Sequence, residues 1–359
     1  MKFGVGRTII IAVLISMLPL AAACRSLRAA EEEPLPPTPR TITITDSAGR
    51  EVELPLPLER VVVLNPRAAE VVHALGASDR VVAVSDVTAR NRSLPGLYGK
   101  MVVVQGHGEP NYEEIVQLRP HLVITWGTHP RVDVNAIAAT LAPAGIPVVG
   151  IDAWRLDTLF ADIRILGELF TKETAAIQLL DFLQAQLDLL RGRTAGLTAR
   201  DKVRVYAEHH AKEFFAVGPG TDWHRIIEEA GGVNVFADVG RPAVDVDPEL
   251  VIRRNPQVIL KQWGQIGFGT AAIDPIREQL KGFIARPGWE NLEAVRDGRV
   301  YLVSMDLAFG PPAIIFMLYA GRILQPALFA DVDPEYLLRE YFRRFHGVEI
   351  QGTFIFPTP

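Results

Sequence analysis

Asn111-Tyr112-Glu113-Glu114-Ile115-Val116-Gln117-Leu118-Arg119-Pro120-His121-Leu122-Val123-Ile124 decides the fold, because its residue pattern changes period part-way along. Asn111 to Leu118 has helical spacing with carboxylates in its first turn. After Pro120, the run Leu122 to Thr125 is apolar without polar alternation. A short run that is apolar on both sides is a strand of a parallel sheet with helices on its faces. Asp247-Pro248-Glu249-Leu250-Val251-Ile252-Arg253-Arg254-Asn255-Pro256-Gln257-Val258-Ile259-Leu260 has the same order in the second half of the chain. Helix, proline and strand therefore occur once in each half.

Outward from these stretches, Arg60 to Leu64, Val81 to Val84, Met101 to Val104 and Val148 to Ile151 are further strand-like runs bounded by polar or Gly/Pro residues. Ala68 to Leu75 and Val134 to Ala144 have helical spacing between them. In the second half, Val203 to Ala207 and Arg299 to Val303 alternate with Trp223 to Ala230 and Pro312 to Leu324. The longest helical pattern, Asp157 to Leu190, separates the halves. Ile177, Leu180, Leu183 or Gln184, Leu187 and Leu190 form its stripe, and Gly167 is its candidate break. The alternation predicts an α/β protein with two Rossmann-like lobes joined by a long, stiff helical segment, and a ligand cleft between the lobes. At the flanks, Thr41 to Thr45 alternates with period two and leads through Asp46-Ser47-Ala48-Gly49 towards Val52, which predicts a hairpin. Asp333-Pro334 and Gly347 bracket a final helix with Leu337, Leu338, Tyr341, Phe342 and Phe345 on one face.

With 48% hydrophobic and 22% charged residues among 359, the chain suffices for two ordinary domains. A net charge of −5 without a basic run leaves a nucleic-acid partner no electrostatic footprint. The single cysteine, Cys24, excludes an internal disulfide framework and any thiolate cluster for zinc or iron–sulfur. Lys2 and Arg7 precede an apolar run from Thr8 to Ala23, which is the layout of an export signal and is short for a membrane span. The small residues before Cys24 resemble a lipobox, with Ala21 where leucine is usual, so Cys24 is expected to carry a lipid. Cleavage near Ala29-Ala30 or an uncleaved anchor are the alternatives. The expected organisation is an export or lipoprotein signal over 1–24 and a disordered spacer over 25–40, which holds Glu31-Glu32-Glu33 and several prolines. An N-terminal α/β lobe over 41–155, a connecting helical segment over 156–198, a C-terminal α/β lobe over 199–330, and a helix and tail over 331–359 follow.

From Thr41 to about Leu328 the chain resembles the periplasmic-binding family for iron-siderophores, haem and cobalamin, the substrate-binding proteins of ABC importers. The two helix–proline–strand segments carry that resemblance, supported by Asn65-Pro66 through Glu70 and by Leu75-Gly76-Ala77. His121 departs from it, standing where aspartate is usual. The resemblance implies that Glu113 and Glu249, one at each helix start, dock on arginines of the permease, which works with its ATPase. A carboxylate beside a helix N-terminus suits that role, although ordinary first-turn glutamates look the same. It also implies a protein that catalyses nothing, holds no intrinsic cofactor, and binds a small-molecule iron or cobalt complex: a ferric siderophore, haem or corrinoid.

Ligands of open α/β sheets bind beyond the carboxyl ends of the strands. Those ends offer Asn65, Arg67, Asp86, His107, Trp126 and His129 in the first lobe. His209, His210, Arg241, Trp263 and Met305 come from the second. Trp126 matches an aromatic of the cobalamin-binding relatives, while lobe packing is the competing account for Trp126 and Trp263. The histidines suit metal coordination in type but lack a diagnostic spacing. Arg67, Arg131 and Arg241 suit the carboxylates of a siderophore or a metal oxyanion. Of enzyme signatures there is no nucleophile elbow, phosphate-binding loop or His-Glu-x-x-His helix. A metal-dependent hydrolase built from the histidines is the remaining alternative.

Overall fold

The computed structural model describes residues 1, 4, 40–94, 96–106 and 108–357. The signal, the spacer before Arg40, and with them Cys24, lie outside the described residues. The described chain opens with the expected hairpin, β1 (Arg40–Thr45) against β2 (Glu51–Leu56). Its turn is closed by Asp46, whose carboxylate takes the backbone N–H groups of Ala48 and Arg50.

The first lobe alternates strictly. β3 (Val61–Val63), α1 (Pro66–Ala74), β4 (Val81–Ser85), α2 (Asp86–Ala89) and β5 (Val102–Gln105) come first. They are followed by α3 (Tyr112–Leu118), β6 (Leu122–Thr125), α4 (Val134–Leu141) and β7 (Val148–Gly150). The five strands form one parallel sheet in the order β5-β4-β3-β6-β7. Val61, Val62 and Val63 are all fully buried, as a strand covered on both faces requires.

The connecting segment is two helices, α5 (Leu159–Leu169) and α6 (Glu173–Thr194). The break falls at Thr171, which is left-handed at φ 53°, and not at Gly167. Gly167 serves packing instead: a Cβ there would lie 2.6 Å from the Ala176 side chain, so only glycine lets α5 and α6 approach this closely. The stripe on α6 is Leu180, Leu183, Leu187 and Leu190, with Leu179 and Phe182 beside it, whereas Ile177 faces solvent.

The second lobe contains β8 (Val203–Glu208), β9 (Phe215–Val217), α7 (Asp222–Glu229), β10 (Gly232–Asn234), β11 (Ala243–Asp245), α8 (Pro248–Arg254) and β12 (Val258–Trp263). β13 (Gly267–Phe268), α9 (Ile273–Ile284), α10 (Glu293–Arg296), β14 (Val300–Ser304) and α11 (Pro311–Leu324) complete it. β10, β8, β12 and β14 run parallel, and the antiparallel strands β9 and β11 extend the sheet. The two segments that decide the fold are built alike. Asn111 and Asp247 cap α3 and α8 through their side chains, and both helices end on a left-handed residue, Arg119 and Asn255, just before Pro120 and Pro256.

The final helix, α12 (Pro334–His346), packs on α1 of the first lobe and on α11 of the second. The tail then returns to the second lobe as β15 (Gly352–Thr353) on β13 and β16 (Ile355–Phe356) on β14. One hydrophobic core consequently runs from Val63 and Val71 through Leu183 and Ile315 to Phe342, without a gap between the lobes. The described residues from Arg40 onward belong to one compact unit. No described helix is long and apolar enough to cross a membrane.

Candidate functional site

The carboxyl ends of the two parallel sheets meet at the loops after β7 and β14. The Gly310 N–H donates to the Trp154 carbonyl at 3.1 Å, and the Trp154 and Phe309 rings meet edge-on at 5.9 Å. Close by, the Leu156 N–H reaches the Asp222 carboxylate at 3.2 Å. These contacts join the loops after β7 and β14 where the two lobes meet.

Trp154 is held there by its neighbours. Ala153 is left-handed at φ 48°, a costly conformation for a residue with a Cβ, and its N–H is gripped by the buried Asp162 carboxylate at 2.8 Å. Burial pushes the Asp162 carboxyl upward, against the hydrogen bonds from Ser47 and Ala153. Trp154 is also the centre of an aromatic cluster, with ring centroids 6.3 Å from Trp126 and 6.2 Å from His129; the last two lie 5.0 Å apart. The Arg155 guanidinium lies over the Trp154 ring at 5.9 Å.

The loop carrying Trp126 and His129 is pinned by Asp152. Wholly buried, Asp152 accepts from the N–H groups of Gly127 and Thr128, both at 2.9 Å, and from the Thr128 hydroxyl. Trp126 also borders a first-lobe cavity of about 590 Å³ lined by Asp86, Gln105, Glu109, Arg131 and Asp133. Burial lowers the His129 imidazole below its ordinary value, helped by Arg131 and opposed by Asp152.

In the second lobe, His209 and His210 follow β8 with their rings 4.2 Å apart. His209 is lowered to about 4 by burial and by the neighbouring His210 and Lys261. Beneath it, the buried Glu208 carboxylate joins Lys261 at 2.7 Å and Arg286 at 2.6 Å. This ion cluster anchors the loop that leads into β9, since the Phe214 N–H also binds Glu208 at 3.1 Å.

Of the residues expected from the sequence, the structure unites Trp126 with His129, sets Asp86 and Arg131 on the cavity that Trp126 borders, unites His209 with His210, and gives the others different surroundings. Asn65 is buried and spends its amide as a structural clasp. Its Nδ2 donates to the carbonyls of Ile151 and Asp152, and its Oδ1 caps α1. Arg67 is partly exposed and pairs with Glu70 at 2.9 Å. The same glutamate accepts from Tyr341 of α12 at 3.0 Å. Asp86 opens α2 and pairs with Arg90. Trp263 packs with Ile266, Ile276 and Leu302 in a satellite cluster, and Met305 leans on the main core. Arg241 is exposed in the loop before β11. His107 lies outside the described residues. Glu113 and Glu249 are both exposed in the first turns of α3 and α8, with Arg253 3.6 Å from Glu249. Trp154, Phe309 and Asp152 were not anticipated, although Gly150-Ile151-Asp152-Ala153-Trp154 is also a strand end. Among the described residues, no group of three or more His, Cys, Asp or Glu side chains is placed to hold a metal ion.

The periplasmic binding protein family matches residues 61–307, which span both helix–proline–strand segments. The chain belongs to that family. Its members are exported binding proteins. Over 334 residues this member is 24% identical to the molybdate-binding protein MolA of Haemophilus influenzae, covering 84% of this chain and 90% of MolA. It is 29% identical over 203 residues to the vitamin B12-binding protein of Yersinia pestis, covering 56% of this chain and 69% of that protein. The fold matches the crystal structure of the TroA-like periplasmic binding protein FepB from Veillonella parvula with a TM-score of 0.74, at 24% identity, over 88% of this chain and 99% of FepB.

Proposed function

We propose that this protein is the substrate-binding component of an ABC importer, which captures an iron or cobalt complex in the interlobe cleft and delivers it to a permease driven by its ATPase. The junction of Trp154 with Phe309 and Gly310 carries the reading, because it sets the strand ends of both parallel sheets around one site. Trp126, His129 and Trp154 supply an aromatic cluster of mutually tilted rings for a chelate to contact, with the Arg155 guanidinium over Trp154. Glu113 and Glu249, exposed in the first turns of α3 and α8, are the carboxylates that would meet permease arginines, Glu249 exchanging its weak exposed contact with Arg253. The protein binds its cargo without transforming it, and Cys24, lipidated after export, tethers it to the membrane.

Mass spectrometry of ligand retained on the purified protein tests this directly. A ligand-dependent rise in melting temperature is expected, since a binder of the folded state gains RT ln(1 + [L]/Kd). Uptake that is unchanged in a strain lacking the protein would sink the reading. A metal oxyanion is the second reading, favoured by the similarity to the molybdate-binding protein MolA along most of both chains.

A further inference from the structure

Two histidines at strand ends of different lobes share one local device. After β6, His129 Nδ1 accepts the Arg131 N–H at 3.3 Å. After β8, His209 Nδ1 accepts the Ala211 N–H at 3.1 Å. A ring nitrogen that accepts a hydrogen bond carries no proton, so the proton of each neutral imidazole resides on Nε2. A metal ion bound at Nε2 needs that proton on Nδ1, where a second-shell acceptor ordinarily takes it. Here Nδ1 meets a backbone donor instead, in both lobes.

Resting on the importer reading above, we propose that His129 and His209 are hydrogen-bond donors to the oxygen atoms of an anionic cargo, and are not ligands of its metal. The cleft therefore recognises an oxygen-rich anion, either a metal oxyanion or a chelate whose metal is already saturated. The surrounding groups agree. Asp152 and Asp162, the carboxylates beside Trp126 and Trp154, are consumed by Gly127, Thr128, Ser47 and Ala153. Asp133 caps α4, and Glu109 accepts from Tyr112. Arg131, exposed beside His129, suits an anion and opposes a bare cation, while Arg67, Arg155 and Lys261 are already paired with Glu70, Asp157 and Glu208. The depressed basicity of both imidazoles keeps them neutral, and so single donors, at neutral pH.

Long-range 1H–15N correlation at the ring nitrogens tests the tautomer without any ligand, and should show Nε2–H for both residues. Titration of metal-free protein would use sodium molybdate and ferric tris-catecholate as anionic probes, and NiCl2, ZnCl2 and cyanocobalamin as contrasts. The oxyanion and chelate arms identify which source the site takes. For the anion that binds, His129→Phe and His209→Phe should each weaken binding about ten- to a hundredfold, the range for a hydrogen bond to a charged group. His129→Gln and His209→Gln place an amide N–H near the Nε2 position and should stay within about threefold of the parent. An Nδ1–H tautomer, or saturable nickel or zinc binding that the glutamine variants abolish, would overturn the proposal and leave the importer reading standing. Retention of cyanocobalamin with none of the anions would do the same. Binding of no probe, with uptake intact in a deletion strain, would overturn the importer reading and this proposal with it.

Discussion

Replacing Glu208 with glutamine keeps the side chain's shape and removes one buried charge from a cluster of three. Glu208 is wholly buried, and its Oε1 takes Lys261 at 2.7 Å and Arg286 at 3.1 Å. Oε2 takes Arg286 at 2.6 Å, the Tyr206 hydroxyl at 2.8 Å and the Phe214 N–H at 3.1 Å. In the variant, an amide N–H must face donors, and two nearly buried cations lose their counter-charge. Breaking a buried pair from one side costs about 3–5 kcal/mol, a large share of the roughly 5–15 kcal/mol by which proteins are stable. Urea denaturation should show it as a midpoint lowered by about 1–2 M at a slope of about 2–3 kcal/mol per molar. Lys261→Met in the same background should recover part of the loss, because it removes an uncompensated cation. The pH dependence has a definite sign. Burial pushes the Glu208 carboxyl up, but Arg286 and Lys261 together outweigh it and hold the group below its ordinary 4.5. Its contribution is thus fully present above pH 4.5 and disappears as pH falls through the lowered value, so the glutamine variant should lose that acid limb. A cost below about 1 kcal/mol, typical of an exposed pair, would refute the argument that this cluster is desolvated.

Trp154→Ala should weaken cargo binding about ten- to a hundredfold, measured by calorimetry, with Trp263→Ala changing it little; the reverse ranking would show that the cleft lies elsewhere. Glu113→Arg with Glu249→Arg should abolish transport in a whole-cell uptake assay while leaving cargo affinity within about twofold, because both carboxylates stand on exposed helix starts. His346 is lowered to about 3 by burial and by His73, so its neutral form is the one the fold accommodates. Stability should decline as pH falls from 6.5 towards 3, and His346→Phe should flatten that decline in pH-dependent melting. Small-angle scattering should show almost the same radius of gyration with and without cargo; marked compaction would contradict the continuous core between the lobes.

The fold was legible in the sequence wherever a whole element is apolar or capped. Leu122–Thr125 was delimited as the structure has it, because Pro120 ends the helix before it and the run is apolar throughout. The antiparallel additions β9, β11, β13, β15 and β16 escaped, being two or three residues long and paired by tertiary contact instead of local preference. The connecting helices were placed but broken at the wrong residue. Gly167 looked like a breaker, whereas Thr171 adopts the left-handed turn and Gly167 answers to the packing of Ala176, a neighbour invisible to periodicity. For the candidate site, strand-end position nominated Trp126, His129 and His209, and it nominated Asn65 as readily, whose amide is turned inward to Ile151 and Asp152. Strand-end position says where a residue sits and is silent on whether its hydrogen bonds are already spent.

How the lobes are joined determines what the cleft can do. A single stiff helix would permit rotation about its ends, but here α6 packs on both α5 and α11, and α12 clasps α1 from the far end of the chain. The clasp reaches the cleft itself. Tyr341 of α12 binds Glu70, Glu70 binds Arg67, and the Arg67 stem lies about 3.4 Å from where a Cβ on Gly310 of the opposite lobe would be. Because α12 packs on both α1 and α11, opening the lobes widely would part it from one of them, and parting it from α1 would cost the buried Glu70 carboxylate its hydrogen bond from Tyr341 while Arg67 stays with it. Small shear within a nearly preformed cleft is the motion that these contacts allow. Preorganisation then replaces closure as the source of affinity, because the side chains that meet the cargo are already ordered before it arrives.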